Sequence, residues 1–201
     1  MLYDWGYSSY TNPYYVVPQT VIVGQQPVYD YSQPINPTAA PPDSDLVNSA
    51  DNLFDKGRQS FKDGMYDAAL DLTDQALRQL PNDPTLHEFR ALTLFAMKRY
   101  DEAATSLYPV LTLGPGWDWA TLIGFYNDEA AVYTSQLRLL EARVKDDPNS
   151  AAAHFLLGYH YLCQGHGEEA LAQLRTASSL QPKDSLSAKI VQELEKSRRE
   201  A

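Results

Sequence analysis

A chain of 201 residues is long enough for one or two domains, and its 44% hydrophobic content allows a packed core. The 26 acidic against 16 basic residues leave a net charge of −10, with no basic stripe to hold a phosphate backbone, so nucleic acid is not an expected partner. A single cysteine, Cys163, excludes an internal disulfide and a Cys-rich metal motif, and no stretch approaches the roughly 18–20 apolar residues of a membrane span.

The start, Met1-Leu2-Tyr3-Asp4-Trp5, has neither the cationic segment nor the apolar run of a signal peptide. That favours a cytoplasmic chain, while a removed leader would make it exported or envelope-associated. Residues 1–42 hold seven of the 14 tyrosines, seven of the 13 prolines and no Lys or Arg. Prolines break helices and aliphatic residues are few, so this stretch reads as a disordered Tyr/Pro-rich tail. Val16 to Val23 reads as a strand in need of a partner. Asn12-Pro13-Tyr14-Tyr15 matches a short turn motif that adaptor proteins read. The tail is expected to act as a flexible tether or adhesive segment. The alternative is that its tyrosines and valines lie in a groove on the body, at an effective concentration raised to about the mM range by linkage.

From residue 43 to 201 helix formers take over, and prolines 81, 115, 148 and 182 recur at spacings of 34, 33 and 34. The pattern predicts helix pairs near 48–62 and 66–80, 84–96 and 100–113, 117–127 and 130–146, and 150–164 and 168–180. Small residues at Gly57, Ala91, Gly124 and Gly158 fall mid-helix, where glycine costs about 1 kcal/mol against alanine. Their use there implies a close approach by the next helix, with Ala69, Ala103 and Ala170 serving the second helices. A ninth helix over 184–199 carries Leu186, Ile190 and Leu194 on one stripe and polar residues elsewhere, which suits a cap on an open stack.

Leu157-Gly158, Tyr161, Ala170, Leu174, Ala177 and Pro182 resemble the tetratricopeptide repeat family, as do Gly57, Tyr66, Ala69, Ala76 and Pro81, and Ala91, Leu94, Tyr100, Ala103, Leu107 and Pro115. The third unit is degenerate: Gln136 stands where a small residue belongs, and the unit is one residue short. The resemblance implies an all-α fold, a right-handed superhelical solenoid of about four helix-turn-helix repeats (about 48–81, 84–115, 117–148 and 150–182) with a C-terminal capping helix. It implies a scaffold that binds a peptide or helix in its concave groove and is not an enzyme. The alternative is a structural envelope or assembly component attached through the tail.

Helical spacing puts positions 2, 5, 9 and 12 of each first helix on one face. From these the groove candidates are Phe54, Arg58, Glu88, Leu92, Trp119, Phe125, Tyr126, Phe155 and Tyr159. Arg58 is the one base among corresponding positions, so a carboxylate clamp of the kind some family members use is not expected. An apolar or basic protein segment suits this surface better, and self-association through stack ends stays open. His160, Cys163 and His166 stand three residues apart, but no fourth ligand is evident, so no metal and no cofactor is expected. No nucleophile, base and orienting acid assemble into a catalytic set.

Overall fold

The computed structural model describes residues 10–16, 27–40, 42–127 and 129–200. Among them the chain forms nine helices and no strand. They are α1 (Ser44–Lys62), α2 (Tyr66–Gln79), α3 (Pro84–Ala96), α4 (Tyr100–Leu113), α5 (Trp119–Gly124), α6 (Ala130–Asp146), α7 (Ala151–Cys163), α8 (Gly167–Leu180) and α9 (Ser185–Glu200).

The leading helix of each regular pair is started by a polar side chain. The Asp43 carboxylate accepts from the Asp45 amide, Asp83 from Thr85 and Leu86, and Ser150 from Ala153. Each cap satisfies donors that the first helical turn leaves open. Asp43 also explains why α1 starts at Ser44, four residues before the expected boundary. The turns into α2, α4 and α8 contain Gly64, Lys98 and Gly165 at φ of 75°, 63° and 75°. The same left-handed turn therefore recurs in three units, once with a lysine in place of glycine.

Three pairs, α1/α2, α3/α4 and α7/α8, form the stack, with α2 on α3, α4 directly on α7, and α9 closing the end against α8. Each pair meets at small residues: Ala69, Ala103 and Ala170 are fully buried. A β-carbon on Gly158 would lie 2.7 Å from Cγ of Leu174, and one on Gly57 would lie 3.4 Å from the Thr73 hydroxyl. Between these surfaces lies a continuous core that includes Phe89, Leu94, Phe95, Leu107, Tyr108, Leu140 and Leu156.

The third unit departs from its neighbours. Where a helix over 117–127 is expected, α5 spans six residues, followed by a turn at Phe125–Asn127 with Asn127 at φ 54°. Gly124 is exposed, and a β-carbon there would meet nothing within 4 Å, so the close approach expected at this glycine does not occur. The segment leaves the stack, and α6 returns to pack on α7.

Two described parts of the tail pack on the body. Asn12–Tyr15 forms a turn in which the Tyr15 amide donates to the Asn12 carbonyl, and Tyr14 is buried against α4 and α7. Tyr31 and Ile35 are buried as well. Reckoned by aliphatic residues the tail is poor, but each tyrosine ring brings a large apolar area, and each proline lowers the entropy lost on ordering. The docking point is a helix defect. Pro109 lies inside α4 and has no amide hydrogen to give the carbonyl of Thr105, four residues earlier. The Asn12 side-chain amide donates to that carbonyl at 2.9 Å, and the Thr105 hydroxyl donates to the Tyr14 carbonyl at 2.7 Å. Val16 is exposed, and Val17 to Val23 of the expected strand lie outside the described residues.

Candidate protein-interaction surface

The groove-side face of the leading helices is aromatic and acidic as the sequence implies, but much of it is already covered. The loop after α4 crosses it first. Gly116, at φ 75°, approaches so closely that a β-carbon would lie 2.7 Å from Glu88 Oε1 and 2.9 Å from both Leu111 and Tyr159. The Trp117 amide and the Tyr159 hydroxyl each donate to Glu88 Oε1 at 2.7 Å. Phe125 then rests between Trp117 (ring centroids 4.6 Å) and Phe89 (5.1 Å), and Tyr126 meets Phe61 edge-on at 5.0 Å.

The start of α6 completes the cover. Tyr133 packs on Phe95 and shares a hydrogen bond of 3.1 Å with Nδ1 of His160. The Tyr126 hydroxyl donates to Gln136 Oε1 at 2.6 Å, and Gln136 Nε2 donates to the Tyr66 hydroxyl at 2.8 Å. Gln136 is therefore the link that fastens the displaced third unit to α2.

The nine expected groove residues divide accordingly. Arg58 is exposed, with its guanidinium 5.4 Å from the Phe54 ring centre and paired with Asp55, and Phe54 is half-buried. Trp119 is 36% exposed and stands edge-on to Tyr133. Glu88, Leu92, Phe125, Tyr126, Phe155 and Tyr159 are buried. Their spacing puts them on the expected face, and that face meets the chain itself: the loop, α5 and α6 for most, and Tyr14 stacked on Phe155 at 5.0 Å. Among the described residues the tail meets this face at Phe155. The third unit covers most of the rest.

Burial shapes the chemistry of several groups. Glu88 has two donors and no hydrogen-bonded cation, and burial pushes its carboxyl up to about 7. Burial lowers His160 to about 3 and raises Cys163 to about 12, so the thiol has little thiolate character. His166 precedes α8 on the surface, away from the buried His160. Among the described residues no three His, Cys, Asp or Glu side chains gather as a metal would require.

Sequence reasoning missed His87 and His154. Each lies six residues after the proline that ends the preceding unit. Nε2 donates to that proline's carbonyl, Pro81 at 2.9 Å and Pro148 at 3.0 Å. The shared spacing was the available signal. At His87 the remaining nitrogen accepts from the Tyr31 hydroxyl at 3.0 Å, and burial holds the imidazole at about 4, which keeps it neutral. At His154 the corresponding nitrogen lies 2.7 Å from Gln173 Oε1 of α8. Tyr31 of the tail thus occupies at His87 the place that α8 occupies at His154.

One part of the groove side remains open. A cleft of about 390 Å³ lies between loop 114–118, the end of α7 and α9. Leu111, Pro115, Trp117, Leu162, Cys163, Ile190 and Leu194 form its apolar wall, and its charged lining residues are Asp118 and Glu193, both acidic.

The tetratricopeptide repeat profile matches residues 54–116 and 137–185, more than half of the chain. The chain belongs to the tetratricopeptide repeat family. Residues 117–136, between the two matched stretches, contain the loop end, α5 and the start of α6, the part that leaves the stack. Repeats of this family serve protein–protein interaction. No curated protein matches the chain. Among solved structures it is similar to the first TPR of Spaghetti (RPAP3) bound to the HSP90 peptide SRMEEVD, at 18% identity over 79% of this chain and 97% of that one, with a TM-score of 0.33. It is also similar to a MamA RS-1 ArsTM double mutant (23% identity, 77% and 98% covered, TM-score 0.34) and to MamA 41-end from Desulfovibrio magneticus RS-1 (21%, 76% and 97%, 0.33). The family assignment rests on the repeat profile. Among the described residues of this tetratricopeptide repeat protein, no helix is long and apolar enough to cross a membrane.

Proposed function

We propose that the chain is a protein–protein interaction scaffold that takes an apolar segment with basic flanks in the cleft between loop 114–118 and α9. The observation that carries this reading is the cleft itself: an open apolar surface on the groove side of a repeat stack, with acids as its charged lining residues. An apolar side chain entering it removes its own surface and that of Leu162, Ile190 and Leu194 from water, and Asp118 and Glu193 draw a Lys or Arg beside it. The net charge of −10 favours the same partner at longer range. Attachment through the Tyr/Pro-rich tail, the competing reading, gains nothing from Tyr14 and Tyr31, whose rings are buried on the body.

The test uses two synthetic amphipathic helical peptides, one built of Leu and Lys and the other of Leu and Glu. Titration followed by amide NMR should move Leu162, Ile190 and Leu194 with the first and not with the second. Leu194→Glu should weaken binding about tenfold or more with unchanged far-ultraviolet circular dichroism. Equal binding of both peptides, or full affinity in Leu194→Glu, would remove the cleft from consideration.

A further inference from the structure

We infer that Glu88 is a proton-controlled latch on loop 114–118, the loop that forms one wall of the cleft. The inference concerns regulation of the surface proposed above, and its importance for binding rests on that reading.

The geometry is that of a pinned loop. Glu88 Oε1 accepts from the Trp117 amide on the loop and from the Tyr159 hydroxyl on α7, so one carboxyl oxygen joins three segments. Gly116 seals the contact, leaving no room for even a methyl group between loop and carboxyl. Neighbouring Trp117 and Asp118 continue directly into the cleft wall. Movement of this loop therefore changes the shape of the opening.

Among the described residues no cation acts on Glu88. From α7 the titratable groups facing Glu88 are Tyr159 and Cys163. The adjoining cleft is lined by two further carboxyls, Asp118 of the loop and Glu193 of α9. None of these four side chains can carry a positive charge. An ionised Glu88 is thus a buried anion with two hydrogen bonds and no cation, and its remaining route to stabilisation is water. Water reaches it if the loop lifts. A protonated Glu88 leaves the loop seated, because its carbonyl oxygen still accepts from both donors.

The sign follows from the raised pKa. A carboxyl held at about 7 when covered, against the ordinary 4.5 when hydrated, favours the seated loop at low pH and loses that preference as pH rises through 7. The ratio of lifted to seated loop should rise about tenfold between pH 6 and pH 8.

The experiment is amide hydrogen exchange and carboxyl-detected NMR on the full chain. The protection factor of the Trp117 amide should fall about tenfold between pH 6 and pH 8, in step with titration of the Glu88 carboxyl. Glu88→Gln, which keeps an acceptor oxygen and cannot ionise, should stay folded with Trp117 protected equally at both values. An unchanged Trp117 protection factor in the parent chain, or an equal fall in Glu88→Gln, overturns the latch. Failure of the cleft reading is seen separately: the Leu/Lys peptide then binds at neither pH, while the exchange result still decides the latch.

Discussion

The Tyr14 hydroxyl donates to Asp184 Oδ2 at 2.5 Å across 170 residues of sequence. Asp184 is also the residue whose other oxygen accepts from the Ser187 amide at the start of α9. Its two oxygens thus serve the capping helix and the tail at once, both buried. The tail is a tie between the middle and the end of the stack.

Tyr14→Phe should therefore cost about 1–3 kcal/mol, because Asp184 keeps its burial and loses a donor. Tyr14→Ala also leaves a void beside Tyr108 and Phe155 and should cost about 3–5 kcal/mol. Denaturant unfolding of both variants tests this. Equal stability of all three chains would mean the tail is not bound in solution.

Gly158 and Gly124 make opposite predictions. Gly158→Ala places a carbon against Leu174 and should destabilise by about 1–3 kcal/mol. Gly124→Ala enters open space and should be neutral or stabilising by up to about 1 kcal/mol. Thermal unfolding separates them, and a large loss at Gly124 would indicate that the third unit is stacked after all.

The buried imidazoles predict acid sensitivity. The pKa values of His87 and His160 are lowered by burial to about 4 and about 3. Their contribution is complete above about pH 6.5, where the unfolded imidazole is neutral, and declines as pH falls because the unfolded chain gains protons that the folded one refuses. Each accounts for a loss of about 2–3 kcal/mol between pH 7.5 and 4.5. In His160→Leu the drop in stability over that interval should shrink by about 2 kcal/mol. An identical drop in variant and parent would mean that His160 does not control it.

Alanine at Phe155 or Tyr159 should act on the fold before it acts on any partner. Both side chains are buried, and each substitution should cost about 3–5 kcal/mol. Chemical denaturation should show that loss with no ligand present. Full stability would return these residues to the open surface.

The regular units were legible because proline and glycine mark a repeat in one dimension, and three helix pairs lie where those marks predict. The third unit was legible only as a defect. Gln136 in place of a small residue signalled that α6 could not stack, but its bonds to Tyr126 and Tyr66 depend on where the displaced segment goes. Spacing grouped the groove candidates on one helical face, whereas the cover over them was not legible, since no local pattern tells a ring awaiting a partner from one already paired. The docking of Asn12–Tyr15 was not legible for a related reason: the Asn12 amide finds its acceptor at a carbonyl that Pro109 sets free elsewhere in the chain.

That carbonyl fixes the alignment of the tail. Pro109 is the proline inside α4, so one rung of its hydrogen-bond ladder is vacated mid-helix. A slip by one residue would bring Pro13, which has no donor, opposite Thr105, and would carry the Tyr14 phenol away from Asp184. A residue inserted between Asn12 and Tyr14 should have the same effect, because the two anchors are fixed points on the body and the distance between them admits one reading frame of the strap.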